Sequence, residues 1–345
     1  MSLLSITGLS EYLRTPQNIV IIPHQNPDGD ALGSCLGWAH LMRKFGHTAT
    51  VCSPNAFPDF LGWMPGANEI LLADQNLDGC KKALDSASLI CTLDFNHLSR
   101  CGVLGEFIEN NSAPILMVDH HISPSDYAKY TFSDTSMSST CEMIYHLAKY
   151  LNSTDQIDSA IANCLYTGIV TDTGNFKYPS ANATTLLIAA DLLEKGADKT
   201  KINSLLFEQS ELSRFKLMGR CLDSLTYLED YHSVYMIITE EDKKSCGFKR
   251  GDTEGFVNFG LSLKGCCFSV IFIENAEDSS IKMSFRSTGD FDVNEFARAH
   301  FNGGGHKNAA GGKSFSSLKE TIDLFTSLLP NYIESLTSNA LPNEI

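Results

Sequence analysis

The sequence predicts an α/β protein: a mostly parallel sheet with flanking helices, a helical linker, and a smaller mixed α/β unit toward the C-terminal end. Three observations predict it. Short β-branched runs alternate with helical patterns through the first half, the signature of parallel strands joined by crossover helices. Beyond residue 230 the pattern changes to strands followed by helices. The length of 345 residues also exceeds what one ordinary core organises, so two domains are expected. The expected divisions are 1–195, 196–230 for the linker, and 231–336.

In chain order, Asn18 to Pro23 (Asn-Ile-Val-Ile-Ile-Pro) reads as a strand and Asp30 to Phe45 as the helix after it. Thr48 to Ser53 is a second strand. Leu89 to Leu93 and Ile115 to Val118 are two more, separated by a helix around Leu98 to Asn110. Helices follow at Thr140–Leu151, Ser159–Ile169 and Thr184–Glu194, and Asp198 to Leu228 is amphipathic and helical with no strand signal. In the second unit Ser233–Ile238, Cys267–Glu274 and Lys282–Arg286 read as strands. Val293–His300 and Leu318–Leu329 read as helices, the latter stopped or kinked by Pro330. A glycine-rich segment, Gly303 to Gly312, lies between them, and Thr337 to Ile345 is expected to fray.

Composition narrows the function. Fractions of 43% hydrophobic and 19% charged residues belong to a folded globular chain. No apolar run reaches the ~18 residues that cross a bilayer. The start, Met1-Ser-Leu-Leu-Ser-Ile-Thr, lacks the basic stretch of a secretory signal, so a cytoplasmic protein away from membranes is expected. Eleven cysteines scatter without repeated spacing, many in apolar stretches (Cys35, Cys91, Cys164, Cys266, Cys267), the pattern of reduced buried thiols. A formal charge of −15 opposes binding of long duplex nucleic acid, which is held by Lys and Arg on its phosphates. A nucleic-acid substrate would be short and held in a local cationic pocket. The oligomeric state stays open, a homodimer included.

The residues able to carry chemistry sit at predicted strand and helix ends. His24-Gln-Asn-Pro-Asp28-Gly-Asp30 follows the first strand; taken alone it is a turn, with Asp30 capping the next helix. Asp94 closes Leu-Ile-Cys-Thr-Leu, Asp119-His120-His121 closes Ile-Leu-Met-Val, and Asp172 sits in Gly168-Ile-Val-Thr-Asp-Thr-Gly174. Each alone is a solvated cap, a pair of surface histidines or a helix-end turn. Together they put Asp or His at one edge of a parallel sheet, where open α/β sheets bind ligands. His24, Asp28, Asp30, Asp94, His120 and Asp172 exceed what one ion uses and suit two divalent ions ~3.5–4 Å apart. The four carboxylates balance two such ions charge for charge. Imidazole in the set favours Mn²⁺ over Mg²⁺, with Mg²⁺ and Co²⁺ as alternatives.

Arg286, ending Lys-Met-Ser-Phe-Arg and followed by Ser287, serves either a surface salt bridge or a bidentate phosphate contact. Gly303-Gly304-Gly305-His306 is either a flexible loop or a backbone that closely approaches a phosphate, with His306 as donor. Phe176 and Tyr178 suit core packing or base stacking.

In order along the chain, His24-x-x-x-Asp28-x-Asp30, Asp94, Asp119-His120-His121 and Asp172 resemble the four motifs of the DHH phosphoesterase family. Gly303-Gly-Gly-His-Lys-Asn-Ala-Ala-Gly311 resembles that of the DHH-associated domain, and the resemblance spans about residues 15–335. It implies one ion on His24, Asp28 and Asp94 and a second on Asp30, Asp94, His120 and Asp172, with Asp94 bridging. Asp94, His120 and His121 would be catalytic, His121 orienting the site and touching the phosphate. Arg286, Ser287, Gly303, Gly304, Gly305 and His306 would bind substrate, as would Arg100, which resembles a phosphate-side arginine of related enzymes. The implied reaction is phosphoester hydrolysis by in-line attack of a water acidified by two cations. A stand-alone acidic two-domain chain resembles the nano-RNase / pAp phosphatase group of the family. The implied substrates are short oligoribonucleotides, including pGpG and pApA, and 3′-phosphoadenosine 5′-phosphate (pAp). Alternatives are an exopolyphosphatase or another small-anion phosphohydrolase, and, from another class, a non-catalytic nucleotide-binding regulator, against which the intact ligand set weighs.

Overall fold

Strand β1 (Asn18–Ile22) buries Ile19, Val20, Ile21 and Ile22 completely, which requires cover on both faces of its sheet. The computed structural model, which describes residues 6–249 and 251–340, places β1 inside a six-stranded parallel sheet. Its companions are β2 (Thr48–Ser53), β3 (Leu71–Leu72), β4 (Leu89–Leu93), β5 (Ile115–Asp119) and β6 (Tyr130–Ser133), in the order β3-β2-β1-β4-β5-β6. The order reverses direction between β1 and β4, so a crevice opens beyond their carboxyl ends.

Five helices cover this sheet: α1 (Gly29–Lys44), α2 (Leu77–Asp85), α3 (Leu104–Glu109), α4 (Thr140–Tyr150) and α5 (Ser159–Asp172). Ile19 and Ile21 pack with α1, α4 and α5, while Val20 and Ile22 pack with α2 and α3 on the opposite face. Each such side chain contributes ~1.5–3 kcal/mol by leaving water. Helices α1 and α5 run antiparallel and unusually close. Gly29 lies beside Thr171, Gly33 beside Gly168 and Cys164, and Gly37 beside Leu165. A Cβ at Gly33 would stand 2.5 Å from the Cys164 carbonyl oxygen, and one at Gly168 would stand 2.2 Å from Cys141 Sγ. The first unit, Met1–Gln209, also holds α6 (Ala183–Glu194) and α7 (Lys199–Phe207).

The second unit, Ser210–Ile345, is built on a mixed sheet. Its strands are β7 (Thr226–Leu228), β8 (Ser233–Ile238), β9 (Phe268–Asn275), β10 (Ser280–Ser287), β11 (Gly304–His306) and β12 (Ala309–Ser314), ordered β11-β12-β10-β9-β8-β7. Helices α8 (Leu212–Asp223) and α9 (Glu240–Cys246) cover one face. On the other, α10 (Val293–His300), α11 (Leu318–Leu328) and α12 (Ile333–Asn339) enclose an aromatic core in which Phe268 meets Phe296 edge-on at 5.3 Å. The segment expected as a linker is thus divided, α7 going to the first unit and α8 to the second.

Several elements depart from the sequence reading. The helix expected around Leu98–Asn110 is broken at Gly102 (φ 55°) into a 3₁₀ turn, Leu98–Cys101, and α3. Asp198–Leu228 is not helical throughout, because Thr226–Leu228 pairs with β8. The glycine-rich segment is a hairpin; a Cβ at Gly303 would stand 2.0 Å from the Gly311 carbonyl oxygen, so glycine permits the strand contact itself. Pro330 kinks the chain through a 3₁₀ turn (Leu329–Tyr332) without ending helicity, so Thr337 to Asn339 lie in α12 instead of fraying. Strands β3 and β6 and helices α2 and α9 were not expected. Residues 341–345 and the start, Met1-Ser-Leu-Leu-Ser, lie outside the described residues, and with them most of the signal-sequence and fraying expectations. All eleven cysteines are buried free thiols, and among the described residues no helix is long and apolar enough to cross a membrane.

The α1–α5 crossing has a direct test. Gly33→Ala is expected to destabilise the protein by about 1–3 kcal/mol in denaturant titrations, as overpacking does. Gly219→Ala, on α8 with nothing within 4 Å of its Cβ, should stabilise by about 0.5–1 kcal/mol. A Gly33→Ala variant as stable as the parent would show that the crossing yields freely.

Candidate metal centre

Three adjacent parallel strands deliver the candidate site residues at one edge. His24 comes two residues after β1, Asp94 directly after β4, and His120 and His121 directly after β5. Asp28 is the N-cap of α1: its Oδ1 accepts from the backbone N–H of Asp30 and Ala31, which leaves Oδ2 for other use. Asp30 lies in the first turn of the same helix, and Asp172 is the last residue of α5. The close α1–α5 crossing therefore sets the distance between these two carboxylates.

The structure brings all six candidate ligands together, in two trios. Donor atoms of His24, Asp28 and Asp94 lie within 4.8 Å of one another, and so do those of Asp30, His120 and Asp172. His24 Nε2 stands 3.5 Å from Asp94 Oδ2 and 3.9 Å from Asp28 Oδ2. His120 Nε2 stands 3.6 Å from Asp94 Oδ1, 3.5 Å from Asp172 Oδ2 and 4.0 Å from Asp30 Oδ2. These gaps are longer than those of ordinary short N–H···O hydrogen bonds. They suit donors around a common cation: two atoms each ~2.1 Å from one ion stand about 3.4 Å apart at the tetrahedral angle, about 3.6 Å at 120° and about 4.2 Å when opposite. Asp94 presents a different oxygen to each trio.

The imidazoles are prepared for coordination through Nε2. His24 Nδ1 lies 2.9 Å from the Gln25 carbonyl oxygen, which can only accept, so Nδ1 carries the hydrogen. His120 Nδ1 makes the same kind of contact, at 3.3 Å, to the Met137 carbonyl oxygen. His121 is oriented by Asp119, a fully buried carboxylate 2.7 Å from its Nδ1, and Asp94 Oδ1 lies 3.8 Å away. The donor chemistry fits divalent cations, and these His and Asp clusters can bind metal.

The electrostatics show a site that holds too much negative charge by itself. Burial pulls the His24 imidazole pKa down, but the adjacent Asp94 and Asp28 push it up to about 9. His120 likewise overcomes burial and reaches about 9 through Asp172, Asp94 and Asp30. Burial, reinforced by Asp94 and Asp172, raises the Asp30 carboxyl well above its usual range. Burial raises Asp172 to about 7; His120 opposes the shift, and Asp94 and Asp28 add to it. Asp94 alone is lowered: the three imidazoles around it outweigh its burial.

Sequence reasoning missed Asp119 as an orienting group and Thr140 as a partner of the site. Thr140 Oγ1 donates to Asp94 Oδ1 at 2.9 Å. The backbone N–H groups of Thr140 and Cys141 donate to the two oxygens of Asp30 at 2.7 and 2.8 Å. The one local signal was Ser139-x-x-Glu142, a helix-start pattern.

The remaining candidates divide. Arg100 is half-buried in the 3₁₀ turn whose carbonyl oxygen accepts from the backbone N–H of Gln25, which ties it to the loop carrying His24. Phe176 packs against Tyr166, 6.1 Å between ring centroids, whereas Tyr178 is exposed. In the second unit, Arg286 on β10 and His306 on β11 both pair with Ala309 on β12, so the two side chains share a sheet face. Ser287, expected to bind substrate, is buried, donates to the Phe291 carbonyl oxygen and accepts from Asn308. The Gly305 N–H, expected to meet a phosphate, donates to Asn294 Oδ1 at 2.8 Å. Gly304 lies in β11 opposite Gly311.

Comparison with known proteins places these features in a group. The pattern of the DHH family, N-terminal domain, matches residues 18–169, and that of the DHHA1 domain matches residues 246–335. A bifunctional oligoribonuclease and PAP phosphatase NrnA from Thermus thermophilus is 30% identical over 294 residues, covering 85% of this chain and 83% of that one. The protein of the same name from Bacillus subtilis is 27% identical over 314 residues, covering 90% and 93%. The solved structure of an exopolyphosphatase-related protein from Bacteroides fragilis aligns with a TM-score of 0.94 at 38% identity, covering 97% of this chain and 98% of that one.

The shifted groups predict how pH and metal act together. His24 and His120, raised from about 6.5 to about 9, stabilise the metal-free fold fully below pH 6.5 and lose that contribution as pH rises through 9. Asp172, raised from 3.8 to about 7, makes the fold less stable as pH rises across that interval. Asp94 acts oppositely, but its contribution disappears only in strong acid. Cations require all these groups deprotonated. The melting temperature in Mn²⁺ minus that in chelator should therefore widen from pH 5.5 to 8.5. A gap that stays constant or narrows would contradict this account.

Proposed function

The chain belongs to the DHH family, and from that premise we propose that it is a two-metal phosphoesterase cleaving short oligoribonucleotides to mononucleotides and pAp to AMP. Linear dinucleotides such as pGpG and pApA fall within that substrate class. The observation that carries the reading is the divided Asp94 carboxylate, Oδ2 toward His24 at 3.5 Å and Oδ1 toward His120 at 3.6 Å. One buried side chain thus serves both trios. The names of the Thermus thermophilus and Bacillus subtilis relatives, which align over most of this chain, support the substrate class.

His24, Asp28 and Asp94 hold one cation, and Asp30, Asp94, His120 and Asp172 hold the other, Mn²⁺ being favoured by the mixed nitrogen and oxygen donors. A pair of divalent cations supplies Lewis acidity to water and to phosphoryl oxygens. His121, its ring fixed by Asp119, contacts the scissile phosphate beside Asp94. Arg100 stands near the His24 loop as a further phosphate contact. Arg286 and His306, on one face of the second sheet, bind the nucleotide's phosphates in a chain otherwise strongly acidic. The net charge of −15 supports exclusion of long duplexes, and the eleven buried free thiols support a cytoplasmic setting. The name of the Bacteroides fragilis neighbour favours polyphosphate as a second reading.

One panel separates these readings. The Mn²⁺-loaded protein is incubated with pAp, pGpG, a long RNA oligomer, pyrophosphate and polyphosphate. AMP from pAp and GMP from pGpG are expected, while cleavage of only the last two would replace the substrate assignment. Asp94→Ala should reduce turnover by more than about 100-fold, since even groups behind the ligands are worth 10–100-fold. Arg286→Ala should mainly raise KM. Full turnover in Asp94→Ala would remove that residue from the site.

A further inference from the structure

Helix α4 opens with Ser139 as N-cap, so the N–H groups of Thr140 and Cys141 have no partner within the helix. Both are satisfied by one carboxylate, that of Asp30, which receives a hydrogen bond on each oxygen. The Thr140 hydroxyl has a single hydrogen, and that hydrogen goes to Asp94 Oδ1. Thr140, Asp30 and Asp94 are all essentially inaccessible to solvent, so water cannot substitute for these bonds. The turn before the helix is itself held: Glu142 accepts from the Ser138 N–H, the Ser138 hydroxyl and the Thr185 hydroxyl.

Asp94 needs such a restraint. Its backbone lies in the left-handed region at φ 68°, sparsely populated for a residue with a side chain and maintained only where surroundings over-determine it. A carboxylate is also symmetric, and rotation about its last bond exchanges the two oxygens. Oδ1 has a neutral hydroxyl donor fixed on it, so Oδ1 is held on the His120 side and Oδ2 remains on the His24 side.

We propose that Thr140 is a positioning residue whose hydroxyl fixes the Asp94 carboxylate across the two trios and thereby sets the affinity of the Asp30–His120–Asp172 trio for its cation. The inference rests on the two-metal reading above. It assigns the start of α4 a role in ion loading: two backbone donors hold Asp30, one hydroxyl holds Asp94, and none of them need touch the ion.

The test uses the full chain with Thr140→Val, which keeps the shape and removes the hydroxyl, and Thr140→Ser, which restores it. Stepwise Mn²⁺ binding is measured by calorimetry, alongside melting of the chelated proteins. The parent should take up two ions. In Thr140→Val one of the two should bind about tenfold or more weaker, as for other groups that orient ligands, with the other unchanged, kcat reduced and KM little moved. Thr140→Ser should recover both affinities. Unchanged binding of both ions in Thr140→Val would overturn the proposal. So would equal weakening of both with a lowered melting temperature that Ser does not restore, which marks a purely structural role. A parent that binds fewer than two ions would sink the two-metal reading itself, and this inference with it.

Discussion

The close crossing of α1 and α5 is the constraint on which the candidate metal centre rests. One helix begins at the site with Asp28 and Asp30, and the other ends there with Asp172. Their separation is fixed by Gly29, Gly33 and Gly37 at four-residue spacing, with Gly168 opposite. Four helical glycines forgo roughly 2–4 kcal/mol of helix propensity relative to alanine. Packing of the surrounding core offsets that loss, and the return is geometric. A wider crossing would separate Asp30 from Asp172, and a displacement of ~1 Å is enough to degrade catalysis about 100-fold.

That crossing gathers groups which oppose one another. Asp30 and Asp94 are withdrawn from solvent and Asp172 partly so, around two imidazoles, and desolvation with mutual repulsion holds Asp30 and Asp172 toward their neutral forms. The adjacent carboxylates hold the His24 and His120 imidazoles toward their protonated forms. Asp30 receives further compensation from neutral dipoles, the N–H groups at the start of α4. Unpaired buried charge is otherwise expensive. The site is therefore a fold element whose stability is linked to its occupancy.

Much of this was legible in the sequence because it follows from periodicity. Ile19 to Ile22 announces a doubly covered strand, and parallel strands must share an edge, so His24, Asp94 and His120 were bound to meet. The glycine-rich hairpin was not legible, since Gly304 and Gly311 have no strand propensity and pair only because their backbones can approach closely. Tyr130–Ser133 was too short and too polar to register as an edge strand. Ser287 carried no local sign that its hydroxyl faces inward to Phe291. Thr140 was hidden for a different reason: a capping pattern marks where a helix starts, but not that its N–H groups end on a carboxylate 110 residues earlier.

The spread of the ligands along the chain, from His24 to Asp172, has a consequence for biosynthesis. A growing polypeptide acquires His24, Asp28 and Asp94 well before it contains the end of α5. A chain that ends between Asp94 and Asp172 carries every residue of one trio but lacks a member of the other. The His24–Asp28–Asp94 trio is thus complete in sequence once β4 and Asp94 have been made, whereas the Asp30–His120–Asp172 trio waits for the last residue of α5.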